Sequence, residues 1–122
     1  MRSARAQASG RGTGRGPRRA NDPPLLILTS LADGPKHGHA LLKDIEGFAG
    51  VTLGPGALYG AITRLEERGL IEPLDFDDRR RPYRLTAAGT ESLADAVAQM
   101  RRLAEVGAVR LGISRLPRPK MA

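Results

Sequence analysis

The sequence predicts an α+β fold, mainly helical, with three helices, a two-stranded hairpin and one long closing helix. Three observations predict it. Residues 54–68 place Leu58, Ile62 and Leu65 at helical spacing, so that segment turns one face into a core. Residues 70–74 and 81–85 read as strands paired around the turn 75–80, which ends in arginines. Residues 87–111 carry Leu93, Val97, Met100, Ala104, Gly107 and Leu111 alternately four and three apart, the seam of a helix that pairs with another helix. A short helix beside a basic hairpin is the layout of a winged helix-turn-helix, here with a C-terminal dimerisation helix.

The elements follow in order. Residues 1–21 are rich in Arg, Gly, Ala and Ser with nothing apolar to bury, which predicts a disordered leader. It is either a solvated extension or an arm that follows phosphates or enters a minor groove. Asp22 caps a helix whose first turn holds Pro23 and Pro24. Its body, LLILTSLA, is apolar on most sides and predicts burial on several faces. Gly34 and Pro35 stop it. A second helix over 38–49 aligns Leu41, Leu42, Ile45 and Phe48, and Gly50 ends it. Residues 51–53 read as an extended link that can add a third strand.

The third helix starts at a Gly54 cap with Pro55 in its first position and closes at Gly69. Pro73 and Pro82 each remove a ladder donor, so the hairpin must be small and edge-like. Thr86 caps the last helix, and Pro117 and Pro119 stand beyond it. The domain reading is therefore a leader at 1–21, a winged-helix unit at 22–86, a dimerisation helix at 87–113 and a flexible basic tail at 114–122.

Charge is distributed unevenly. The chain of 122 residues has a formal net charge of +7 and a pI near 11.0. Ten of its 20 Lys and Arg lie at 1–20 and 110–122, whereas all 13 acids lie between, leaving the middle at −3. That asymmetry fits a polyanion held partly by the ends. Cysteine is absent, which excludes disulfides and thiolate chemistry. No apolar run approaches the ~20 residues that cross a bilayer, and the leader lacks the apolar stretch of a secretory signal. A cytoplasmic protein without a membrane partner is the expectation. No nucleophile–base set, phosphate-cradling glycine loop or metal-ligand spacing appears, so no enzyme, cofactor or metal is expected.

Three blocks, LLILTSLADGPKHGHALLKDIE, LGPGALYGAITRLEERGLIEP and DDRRRPYRLTAAG, resemble the PadR family of bacterial winged-helix transcriptional regulators. They span residues 25–89. With one helix after the wing, the chain is similar to the short subgroup. That resemblance implies a homodimer joined through the last helix, often a repressor relieved by a small aromatic or xenobiotic compound. Where the family commonly has Ser-Pro-Gly-Thr before Leu-Tyr, this chain has Gly54 and Ala57 in place of the two hydroxyl residues. His39 stands where an aromatic residue is usual, and the chain has no Trp to stack a flat drug.

The expected DNA-contact set is Lys36, Pro55, Gly56, Tyr59, Gly60, Thr63, Arg64, Arg79, Arg80 and Arg81. Tyr59 either bonds a phosphate or base edge or packs half-buried. Arg64 either reaches guanine or pairs along the helix with Glu66 or Glu67. Arg79, Arg80 and Arg81 either grip a phosphate backbone or a narrow minor groove, or offset Asp75, Asp77 and Asp78. Lys36 opens the second helix, whose positive end attracts anions, and His37 caps or orients that turn. Two histidines at i and i+2 share no helix face, so no metal site is expected from His37 and His39. The seam of the last helix, Met100 included, is either core between paired helices or the wall of a cavity for a small hydrophobic effector, beside Leu93, Val97, Met100 and the partner's first helix.

The expected function is a sequence-specific DNA-binding regulator, a repressor acting as a homodimer on a pseudopalindromic site in double-stranded DNA. Its rivals are a winged-helix protein-docking module and a non-specific nucleic-acid binder driven by the leader.

Overall fold

A computed structural model describes residues 22–74 and 81–113. The predicted leader, the basic tail, Arg79 and Arg80 lie outside these. The order is α1 (Pro23–Leu31), α2 (Gly38–Ala49), α3 (Pro55–Glu67), β1 (Ile71–Pro73), β2 (Tyr83–Leu85) and α4 (Ala87–Leu111). This is the mainly helical α+β fold that the sequence predicts.

The core forms around α1. Leu25, Leu26, Ile27, Leu28 and Leu31 are all buried, because α1 packs at once against α2, α3, α4 and β2. From α2 come Leu41 and Ile45, and from α3 come Leu58, Ala61, Ile62 and Leu65. Leu53, Leu70 and Ile71 close the cluster. Phe48 keeps the helical phase of α2 but is 47% exposed, since burial along α2 is confined to Gly38, Leu41 and Ile45.

Ends are set by local chemistry. Asp22 and Pro23 open α1, and the Asp22 carbonyl accepts from Leu26 N at 2.9 Å. Gly50 takes a left-handed φ of 68°, which ends α2 at a conformation other residues rarely adopt. Gly54 precedes Pro55 at the start of α3.

The hairpin is shorter than the sequence suggests. Ile71 pairs with Leu85, Glu72 with Arg84 and Pro73 with Tyr83, antiparallel. Pro73 and Pro82 have no N–H to extend the ladder, although Leu74 N still donates to the Pro82 carbonyl at 2.8 Å. The extra pairing comes from an unexpected place. Residues 51–53 stay unpaired as an extended link; the backbone of Lys36, before α2, bridges Tyr83 instead.

The base of the wing is fastened to α4. Thr86 Oγ1 accepts from Gly89 N at 3.0 Å, capping α4, and donates to the Gly69 carbonyl at 2.7 Å. One hydroxyl thus ties the end of the hairpin to the turn after α3. Gly89 is buried at the same crossing, and a Cβ there would overlap the Leu70 carbonyl. Only glycine lets the helix approach that turn so closely.

Candidate nucleic-acid interface

Burying Leu58, Ala61, Ile62 and Leu65 forces the opposite face of α3 outward. Pro55, Gly56, Tyr59, Thr63 and Arg64 all stand exposed there, and Gly60 lies at the margin. The candidate residues of the third helix therefore share one accessible face.

Each has its own geometry. Tyr59 is 52% exposed. One side of its ring is seated against Gly38, the first residue of α2, where an added Cβ would overlap the phenol oxygen. Thr63 Oγ1 donates to the Tyr59 carbonyl at 2.9 Å, a back-bond within the helix that commits its hydroxyl proton. Arg64 makes no ion pair with Glu66 or Glu67 among the described residues. Its guanidinium lies back along the helix, 3.6 Å from where a Cβ on Gly60 would sit. The small residue gives that side chain a flat bed.

On the wing, Arg81 is exposed and Tyr83 half-buried. Burial raises the Tyr83 pKa above its ordinary 10.0; the Glu66 carboxylate and Tyr59 add to the rise, and Arg81 opposes it. Those influences place the wing, the two phenols and the outer face of α3 in one neighbourhood. Arg84, by contrast, is paired across the hairpin, with Nε 2.8 Å from Glu72 Oε2.

Lys36 is placed differently from an open clamp. Its ammonium donates to the Ser30 carbonyl at 2.6 Å and stands 3.8 Å from Asp44 and 3.9 Å from Asp33. Beside it, His37 Nδ1 accepts from Ala40 N at 3.4 Å, so His37 caps α2 as the sequence suggests.

Sequence reasoning missed Gly38 and Tyr83 as parts of this surface. Gly38 carries no local signal, since its need for a bare Cα comes from Tyr59, 21 positions away. Tyr83 was legible in principle: strand alternation sets it on the opposite face from Arg84 and its Glu72 partner.

Along α4, Leu93 packs on the core and Met100 is half-buried, whereas Val97, Ala104 and Leu111 are exposed. Leu103, Val106, Val109 and Ile113 are exposed too, outside the predicted seam. An open groove of about 580 Å³ runs past Leu93, Val97 and Arg101. Among the described residues, no cluster of three metal-ligating groups occurs and no helix is long and apolar enough to cross a membrane.

A three-helix unit with a two-stranded wing and an outward third helix defines a winged-helix protein. The model of the family described as "Transcriptional regulator PadR-like family" matches residues 27–95, more than half of the chain. The chain therefore belongs to the PadR-like family of transcriptional regulators. An uncharacterized 37.1 kDa protein in transposon TN4556 of Streptomyces fradiae is 49% identical over 85 residues, 70% of this chain. The match spans only 25% of that relative's length. Among solved structures, a PadR family transcription regulator from Clostridium difficile R20291 shares the fold at a TM-score of 0.66 and 24% identity, over 72% of this chain and 96% of that one. A transcriptional regulator from Clostridium thermocellum matches at a TM-score of 0.62 and 25% identity, over 68% and 86%.

Proposed function

We propose that the protein is a sequence-specific DNA-binding transcriptional repressor, without catalytic activity, that acts as a homodimer on a pseudopalindromic operator. The observation that carries this reading is the shared outward face of Tyr59, Thr63 and Arg64, with Arg81 exposed on the adjoining wing. In it, α3 enters a major groove, with half-sites about one helical turn apart. Tyr59 bonds a phosphate or base edge, and the Thr63 methyl meets a thymine methyl. Arg64 swings from its bed on Gly60 to guanine. Pro55, Gly56 and Gly60 let the backbone come near the DNA. Arg79, Arg80 and Arg81 take the flanking backbone or minor groove.

In this reading Lys36 is not a DNA contact, because its ammonium already has protein partners. The dimer reading rests on α4, which exposes the large apolar side chains Val97, Leu103, Val106, Val109 and Leu111. The groove beside Leu93 and Val97 suits a small hydrophobic effector, and thermal-shift screening with flat apolar compounds is its test. Silence across such a panel removes the effector.

Footprinting on the DNA flanking the chain's own gene tests the central reading. Protection of an inverted repeat at moderate salt is the expected result; its absence overturns sequence specificity. One observation favours a rival. The described residues hold nine Lys and Arg against ten Asp and Glu, so the folded part alone is no strong polyanion binder. A protein-docking module would ignore DNA at every salt concentration, and retention on a nucleic-acid column separates the two.

A further inference from the structure

The turn between α1 and α2 carries a polar arrangement that neither the core nor the contact face accounts for. Ser30, the one buried polar side chain of the described core, donates its hydroxyl to Asp44 Oδ2 at 2.5 Å. Lys36 Nζ donates to the carbonyl of the same Ser30 at 2.6 Å and lies 3.8 Å from the same Asp44 oxygen. Its side chain is only 16% exposed. With Asp33 also within 3.9 Å, one ammonium faces two carboxylates, a local balance of −1 that repels a phosphate.

The backbone of the same residue does something else. Lys36 N donates to the Tyr83 carbonyl at 3.1 Å, and Tyr83 N donates to the Lys36 carbonyl at 2.9 Å. That pair of hydrogen bonds is the wing's attachment on the side away from Thr86. A two-stranded hairpin alone is marginal in water, so its orientation depends on such attachments. Two residues further on, Gly38 seats the ring of Tyr59. The segment 36–38 therefore holds the wing with one residue and the reading-helix phenol with another.

We propose that Lys36 is a positioning residue for the DNA-reading surface: its side-chain latch to Ser30 and Asp44 fixes the segment that carries both the wing and Tyr59. This deepens the DNA-binding reading above and rests on it. A phosphate contact and a latch make opposite predictions. As a phosphate contact, Lys36 gives up about 0.9 of the salt slope when neutralised. As a latch, it changes affinity and leaves the slope where it was.

The test compares Lys36→Met and Asp44→Asn in the full chain, with affinity for the footprinted fragment measured against salt. Lys36→Met weakens binding about tenfold, the scale of one charge-assisted hydrogen bond, at unchanged slope. Asp44→Asn decides by sign: removing an acid frees a phosphate-binding lysine and tightens binding, whereas breaking a latch loosens it. We expect loosening, and a double variant no weaker than Lys36→Met alone. A second readout needs no DNA. Tyr59 and Tyr83 are the only tyrosines and the chain has no Trp, so ultraviolet titration reads both phenols directly. Loss of the latch brings the raised Tyr83 ionisation back toward 10.0. A reduced slope, tighter binding by Asp44→Asn, or unmoved tyrosine titration overturns the proposal. Should the unaltered protein bind no DNA, the function reading fails by itself, and the tyrosine titration still decides for or against the latch.

Discussion

The two halves of this molecule treat apolar side chains in opposite ways. From α1 to β2, Ile27, Leu41, Ile45, Leu58 and Ile62 disappear into one cluster. Along the second half of α4, Leu103, Val106, Val109 and Leu111 face outward. The first half buries its apolar side chains within one chain; the second leaves them uncovered, the feature on which the proposed homodimer rests. The difference separates folding from assembly, and substitutions in the two halves should report on different equilibria.

Inside the closed half, Leu41 of α2 lies fully buried in the core cluster. Leu41→Ala removes most of that side chain and leaves a cavity, with an expected cost of about 2–5 kcal/mol. Chemical denaturation measures it, and the loss should not depend on protein concentration. A loss below about 1 kcal/mol would mean this half is looser than its burial implies.

Where the halves join, Gly89→Ala is the next largest. Its Cβ meets the Leu70 carbonyl, a backbone atom that cannot rotate away. Overpacking of this kind costs about 1–3 kcal/mol. Because α4 must tilt to relieve it, the variant should also weaken self-association, which sedimentation resolves. Unchanged association would show that α4 pivots without moving its outer half.

How much of this was legible in the sequence divides along physical lines. Helical phase identified Leu58, Ile62 and Leu65, because burial against one neighbour repeats every three or four residues. Caps at Gly54 and Thr86 were legible because their chemistry is local. The same local logic placed Tyr59, Thr63 and Arg64 together on an outward face. It gave the phase of Phe48 but not its exposure, since phase alone does not tell how far along α2 its neighbours reach. It also missed the wing's second attachment: Lys36 pairs with Tyr83 through a single residue, and one residue has no period to read. From its neighbours in sequence Lys36 looked like an open cation. Its actual partners, Ser30 and Asp44, are set by how α1 and α2 pack.

A smaller effect is expected on the outside of the wing. Arg84 and Glu72 form a 2.8 Å pair with both side chains about half exposed. Water and salt screen such a pair, so Glu72→Gln should cost about 0.2–1 kcal/mol in denaturation. A larger cost would indicate that the hairpin depends on its surface more than on Lys36 and Thr86.

The smallest effect on folding, and the sharpest division between the halves, is expected at Leu103. Its side chain is 74% exposed, so Leu103→Glu gives up almost no burial within one chain. Folding stability at high dilution should move by no more than about 0.5 kcal/mol. Self-association should respond quite differently. A glutamate pressed against the apolar face of a second α4 must lose its water without gaining a partner. The proposed dimer should then weaken by about 2 kcal/mol or more, roughly thirtyfold in dissociation constant. Sedimentation equilibrium over a concentration series checks this, with Leu41→Ala as the contrasting variant. If Leu103→Glu unfolds the isolated chain instead, α4 belongs to the core and the division between a closed half and an open one collapses. If neither folding nor association changes, the apolar surface of α4 is covered from another side, and the seam through Val97, Met100 and Ala104 becomes the place to substitute next.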